Sequence, residues 1–149
     1  MIELDVYTDG ACRGNPGIGG WAGVAVSDTG PIMTVSGCEH KTTNQRMEIL
    51  AAIKILTLIP KDIRVTVYSD SAYLCNCINA KWYEKWLTNG WVNSANKPVA
   101  NDDLWKDLLT QLSDREYSFK WVKGHASNKY NNMCDEMANK IIDLHNGGK

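Results

Sequence analysis

Four carboxylates, Asp9, Glu48, Asp70 and Asp135, stand at widely separated points of the chain, each beside apolar residues. Asp9 ends the run Leu4-Asp5-Val6-Tyr7-Thr8 and opens a glycine-rich turn that reaches Gly17. Glu48 lies between Met47 and Ile49, Asp70 follows Val65-Thr66-Val67-Tyr68-Ser69, and Asp135 leads into Met137, Ala138, Ile141 and Ile142. A buried ionised carboxylate must be paired or bound to a metal. Four that converged would repel one another unless a divalent cation neutralised them. An all-oxygen donor set of that kind selects a hard cation such as Mg²⁺, which serves phosphoryl chemistry.

Each acid has a plainer reading when taken alone. Asp9 suits a glycine turn, Glu48 suits the positive end of a helix, Asp70 with Ser71 suits a helix cap, and Asp135 sits near a helix start. The elements around them decide between the readings. Alternation predicts strands at 3–8, 20–27 and 32–37, with Asp28-Thr29-Gly30-Pro31 as a turn between the last two. Thr42-Thr43-Asn44 caps a helix over 45–59, which Pro60 ends. A fourth strand follows at 63–68, then helices at 71–80 and from 101 or 102 to 112, a strand at 117–122, a polar loop at 123–132 and a helix at 133–144.

The order βββ-α-β-α-α-β-α predicts an α/β fold: a mixed five-stranded sheet with helices on both faces, in a single domain over 1–149. In such sheets ligands bind at strand ends. Asp9 and Asp70 both end predicted strands, so adjacency of the first and fourth strands makes them neighbours. Glu48 and Asp135 then point to the same place from two helices.

Composition narrows the classes. The 149 residues are 44% hydrophobic and 22% charged with a net charge of −1, which excludes a globally basic nucleic-acid binder. Any nucleic acid must be held by a local patch. No apolar run approaches the ~20 residues of a membrane span, and the acidic start Glu3-Leu4-Asp5 carries no export pattern. The five cysteines are odd in number and read as reduced thiols, mostly small buried apolar groups; Cys75-Asn76-Cys77 has no partner pair that completes a zinc set. The expectation is a free-standing cytoplasmic monomer without membrane contact.

Four ordered segments then carry a resemblance: Tyr7-Thr8-Asp9-Gly10-Ala11-Cys12 with Gly14-Asn15-Pro16-Gly17; Thr42-Thr43-Asn44-Gln45-Arg46-Met47-Glu48; Ser69-Asp70-Ser71; and Trp121-Val122-Lys123-Gly124-His125-Ala126 followed by Asn131 and Cys134-Asp135-Glu136. Together they resemble a type 1 ribonuclease H from end to end, apart from the last few residues. The resemblance implies the ribonuclease H-like fold and a metal-dependent endonuclease that hydrolyses the RNA strand of RNA–DNA hybrids to 5′-phosphate and 3′-hydroxyl ends. It implies Asp9, Glu48, Asp70 and Asp135 as catalytic metal ligands. Two Mg²⁺ ions, replaceable by Mn²⁺, would flank the scissile phosphate, one lowering the pKa of the attacking water and one stabilising the departing 3′ oxygen. His125 is implied to aid proton transfer or product departure and is not a ligand, since Mg²⁺ prefers oxygen.

For the hybrid itself, backbone groups near Gly10, Ala11 and Asn44, with the side chains of Asn15 and Gln45, can meet the RNA 2′-hydroxyl. Thr43 matches a pocket that grips a DNA-strand phosphate. Trp82, Lys85 and Asn131 complete the implied substrate set. Two departures stand out: Ala72 replaces the glutamine common after Asp70-Ser71, and Gln45 replaces a common asparagine. The segment 81–100 aligns with a basic protrusion, yet its three lysines and one glutamate leave only +2. Its indoles, Trp82, Trp86 and Trp91 with Trp105, read as a small satellite core. The intact set of carboxylates argues against a hybrid-binding module without turnover. The family-specific segment beginning at Trp121 argues against an exonuclease or strand-transfer enzyme of the same fold.

Overall fold

The computed structural model describes residues 2–123 and 128–146. Its elements are β1 (Glu3–Gly14), β2 (Gly17–Ser27), β3 (Gly30–Thr42), α1 (Asn44–Thr57), β4 (Arg64–Ser69), α2 (Ala72–Asn79), α3 (Trp82–Asn89), α4 (Asp102–Leu112), β5 (Tyr117–Trp121) and α5 (Lys129–His145). The sheet order is β3-β2-β1-β4-β5, antiparallel from β3 to β1 and parallel from β1 to β5. The mixed five-stranded sheet is therefore as expected, and β1 lies beside β4 with Tyr7 opposite Tyr68.

Strand alternation gives each face its own core. Val6, Trp21, Ala25, Val65 and Val67 pack with the apolar sides of α1, α2 and α4. Tyr7, Ala22, Val24 and Val26 pack with Cys134 and Ala138 of α5. Helices thus cover both faces. Fully buried α1 residues such as Ile49 and Ile55 each contribute roughly 1.5–3 kcal/mol over remaining exposed.

Three features depart from the expected elements. The glycine-rich stretch after Asp9 is not a turn: β1 continues to Gly14 and pairs in register with β2, Asp9 opposite Ala22 and Ala11 opposite Gly20. Glycine here serves close approach. A Cβ on Gly10 would lie 2.6 Å from the Glu48 backbone nitrogen, so its absence lets α1 press onto β1. On the other face a Cβ on Gly20 would meet the Ala138 carbonyl at 2.4 Å, so α5 docks at that strand. Second, α3 is an extra helix inside the Trp-rich segment; none of its residues is fully buried and only Tyr83 and Trp86 pack against the core, too short a stripe for periodicity to detect. Third, α5 begins at Lys129, not Met133, because the Asn128 side chain caps it by accepting from the N–H groups of Tyr130 and Asn131 at 3.1 and 3.0 Å.

Candidate active site

Three carboxylates meet where β1, β4 and α1 converge. One oxygen each from Asp9, Glu48 and Asp70 lies within 4.8 Å of the others. Each comes from a different element, and none serves the plainer role available to it. Asp9 sits inside β1, not at a turn. Glu48 stands beyond the first turn of α1, whose cap is Thr43, accepting from Arg46 N at 3.2 Å. The cap of α2 is Ser71, accepting from Leu74 N at 3.1 Å, and not Asp70.

The site is electrostatically unsatisfied. Asp9 and Glu48 are each only 4% exposed. Burial, then the charges of Asp70 and Asp135, push the Asp9 carboxyl from its ordinary 3.8 up to about 8, although the Gly10 N–H donates to its Oδ1 at 2.9 Å. Burial first, then Asp9 and Asp70, hold Glu48 well above the usual carboxylate range. Glu48 Oε1 is buried with no hydrogen-bond partner among the described residues. An all-carboxylate donor set with a buried orphan oxygen fits a hard divalent cation, whose charge would replace the missing protons and donors.

Asp135 lies two turns into α5 and lines the same polar cleft of about 520 Å³, outside the three-oxygen group. Its charge reaches Asp9 all the same. His125 falls outside the described residues.

The expected substrate residues divide into two groups. Gly10, Ala11, Asn44 and Gln45 line the cleft with the acids. Asn15, on the β1–β2 turn, accepts from Asn44 N at 3.3 Å, so it leans over the α1 N-terminus where Thr43 caps. Trp82 and Lys85 are elsewhere, lining a hollow of about 550 Å³ beside α3. Asn131, in the first turn of α5, is 3% exposed and does not line the cleft.

The tryptophans correct one expectation. Trp105 is fully buried, donates to the Tyr73 hydroxyl at 3.1 Å and packs on Trp86, which packs on Trp91. These indoles do not form a separate satellite core: Trp105 is part of the main core beneath the sheet, and Trp86 and Trp91 pack against it. Trp82 does not join them, being 42% exposed. Asp103, an exposed acid, takes a two-pronged hydrogen bond from Arg46 at 2.9 and 2.8 Å, tying the starts of α1 and α4 together. The thiols are as expected: all five are free, with Cys75, Cys77 and Cys134 buried.

Sequence reasoning assigned nothing to Arg46, Tyr73 or Trp121. Tyr73 lines the cleft, and Trp121 donates to the Asp70 carbonyl at 3.0 Å. Tyr73 follows Asp70 by three residues, which was a usable signal. The other two act across long sequence separations that no local pattern marks.

A family model described as RNase H matches residues 2–143. The chain belongs to the ribonuclease H family. It is 47% identical over 142 residues to a ribonuclease H of Caldanaerobacter subterraneus subsp. tengcongensis, covering 95% of this chain and 92% of that one. It is 48% identical over 136 residues to a ribonuclease H of Francisella philomiragia subsp. philomiragia, covering 91% and 88%. Among solved structures it is similar to LC9-RNase H1, described as a type 1 RNase H, with a TM-score of 0.85 at 24% identity over 96% of this chain and 73% of that chain. It is also similar to LC11-RNase H1, solved in complex with RNA/DNA hybrid, with a TM-score of 0.73 at 22% identity over 95% and 98%. At those identities the two structures speak for the fold.

Proposed function

We propose that the protein is an endoribonuclease that hydrolyses the RNA strand of RNA–DNA hybrids with two Mg²⁺ ions, Mn²⁺ being a substitute, to leave 5′-phosphate and 3′-hydroxyl ends. The observation that carries this is the trio of oxygens from Asp9, Glu48 and Asp70 within 4.8 Å, one of its members an orphan buried oxygen. Family membership supplies the reaction class.

Asp9, Glu48, Asp70 and Asp135 hold the ions. Bound there, the cations supply the charge that activates the attacking water and stabilises the departing 3′ oxygen. The chain does the rest. The Gly10 N–H fixes one Asp9 oxygen, holding the carboxylate in place at the cleft where it would take a cation. Glu48 is held by α1 at its close approach to Gly10. The α1 N-terminus presents Thr43, Asn44 and Gln45, with Asn15 beside them, to sugar and phosphate, a helix end where anions are favoured. Gly10 and Ala11 contribute backbone to the RNA side. Trp82 and Lys85 take the hybrid farther along, at α3. His125 is assigned proton transfer or product departure, and Asn131 a supporting place in the first turn of α5.

The reading extends to one domain over residues 1–149, working as a cytoplasmic monomer; five free thiols support a reducing compartment. No helix among the described residues is long and apolar enough to cross a membrane.

The deciding experiment incubates a labelled hybrid with the protein, with and without Mg²⁺, beside Asp70→Asn. Cation-dependent cleavage of the RNA strand alone, lost in the variant, is the expected result. Binding of hybrid without cleavage in either Mg²⁺ or Mn²⁺ would overturn it.

A further inference from the structure

Trp121 ends β5 and is 55% exposed, while Phe119, on the same side of the strand, is buried. Its indole Nε1 donates to the Asp70 carbonyl oxygen at 3.0 Å. The backbone there is pinned as well: Trp121 pairs with Ser69 in the β4–β5 ladder, and Val122 N donates to Ser69 O at 2.9 Å. The polar edge of the ring is therefore satisfied within the protein, and the surface it leaves to water is apolar aromatic face. That face is anchored to the peptide of a residue whose carboxylate belongs to the oxygen trio. Lys123, two residues on, is exposed, whereas Lys120 precedes Trp121 in the strand and projects from the other side of the sheet. An exposed aromatic face with a cation two residues on is chemistry that takes a nucleotide, ring or sugar on the indole and phosphate on the lysine.

Asp70 needs such a hold. It lies between the end of β4 and the Ser71 cap of α2, outside both ladders of regular hydrogen bonds. The indole N–H is a third restraint, applied directly to its peptide.

We propose that Trp121 has two roles in the hydrolysis: a positioning residue that fixes the Asp70 peptide through its N–H, and a substrate contact whose exposed face stacks on a nucleotide of the hybrid beside the cleft. The proposal rests on the ribonuclease reading above and deepens it.

Two variants separate the roles. Trp121→Phe keeps a ring and loses the N–H; Trp121→Leu loses both. With labelled hybrid in Mg²⁺, Trp121→Phe is expected to lower kcat roughly tenfold, as for loss of a group that orients a metal ligand, with KM within about twofold of wild type. Trp121→Leu is expected to share that loss and raise KM roughly 5- to 100-fold, the range for removing one base-stacking aromatic. Equilibrium binding of the hybrid without divalent cation reads stacking independently of turnover, and Kd should rise in Trp121→Leu alone. An unchanged kcat in Trp121→Phe overturns the positioning role. Equal KM and Kd in the two variants overturn the stacking role. Wild-type cleavage matched by both variants sinks this inference and leaves the ribonuclease reading standing; absent wild-type cleavage sinks the ribonuclease reading, and the binding arm still decides stacking.

Discussion

The acidic cleft and the segment from Lys81 to Ala100 are built on opposite terms. The cleft draws its groups from β1, α1, the β4–α2 connection with the start of α2, and α5, leaves Glu48 Oε1 without a partner among the described residues and holds two carboxyls far above their ordinary range. The protrusion satisfies itself locally: Asn93 Oδ1 accepts from Ala95 and Lys97 N–H groups, Val92 bridges to Pro98, and Gly90 ends α3. Its indoles pack on one another and on α4. The cleft is incomplete without a ligand, whereas the protrusion is complete without one. On the proposed reading, the chemistry and the protrusion's share of the affinity therefore reside in parts of the molecule that mutations can separate.

The largest expected break is in the trio. Asp9→Asn, Glu48→Gln and Asp70→Asn should each lower turnover on the order of 10³-fold or more while leaving the protein folded, because each removes a ligand without removing packing volume. Relief of repulsion should hold or raise the thermal midpoint, by about 2–4 °C per kcal/mol in a chain of this size. Asp135→Asn should lose less, since Asp135 stands outside the trio. Single-turnover cleavage and thermal unfolding of the same preparations check this. Retained turnover in any trio variant removes that residue from the ligand set.

Truncating the core residue on which the protrusion's indoles pack should show in stability, not chemistry. Trp105→Ala removes a fully buried indole and should cost roughly 3–5 kcal/mol, against an effect within about 0.5 kcal/mol for the exposed Trp82→Ala. Urea unfolding distinguishes them. Equal costs would mean that Trp82 packs after all.

Much of this was legible in the chain, and the failures have physical causes. Asp9, Glu48 and Asp70 were readable because carboxylates beside apolar residues on three elements have few uses besides a cation. The sheet followed from alternation and from Pro60 and the caps at Thr43 and Ser71. The course of β1 through Gly10 and Gly14 was misread because glycine punctuates turns more often than it admits a helix. Helix α3 escaped because none of its side chains is fully buried and only Tyr83 and Trp86 pack against the core. The stand-off of Asp135 depends on how closely α5 docks over Gly20, and the Arg46–Asp103 pair spans elements whose meeting only the tertiary fold decides.

The cleft's raised carboxyls also have a stability signature. Asp9 titrates near its ordinary 3.8 when unfolded and is pushed up to about 8 when folded, so between those values the metal-free folded chain holds a proton that the unfolded chain has released. Its contribution is full below about pH 4 and is lost as pH rises through about 8. Thermal midpoints of the metal-free protein should fall over that window. Asp9→Asn should flatten the fall, and Mg²⁺ at 100 times its Kd should add about 2.7 kcal/mol at the alkaline end. A midpoint that instead rises from pH 4 to 8 without metal would show the cleft to be satisfied by other means.

The smallest effect belongs to the protrusion's charge. Lys81, Lys85 and Lys97 against Glu84 leave +2 over 81–100, and Lys85 lines the hollow with the exposed Trp82. So sparse a patch should hold hybrid more weakly than a strongly basic one, and its log Kd should vary only gently with log salt. Each lysine that meets a phosphate contributes roughly 0.7–0.9 to that slope, so Lys85→Ala should reduce it by about that amount and leave kcat unchanged. Cation-free binding titrations at several salt concentrations measure it. A wild-type slope as steep as many phosphate contacts would place the electrostatic grip elsewhere, and the α1 N-terminus with Lys41, Thr43 and Asn44 would be the surface to neutralise next. An unchanged slope with reduced kcat in Lys85→Ala would erase the division itself, making the protrusion part of the chemistry.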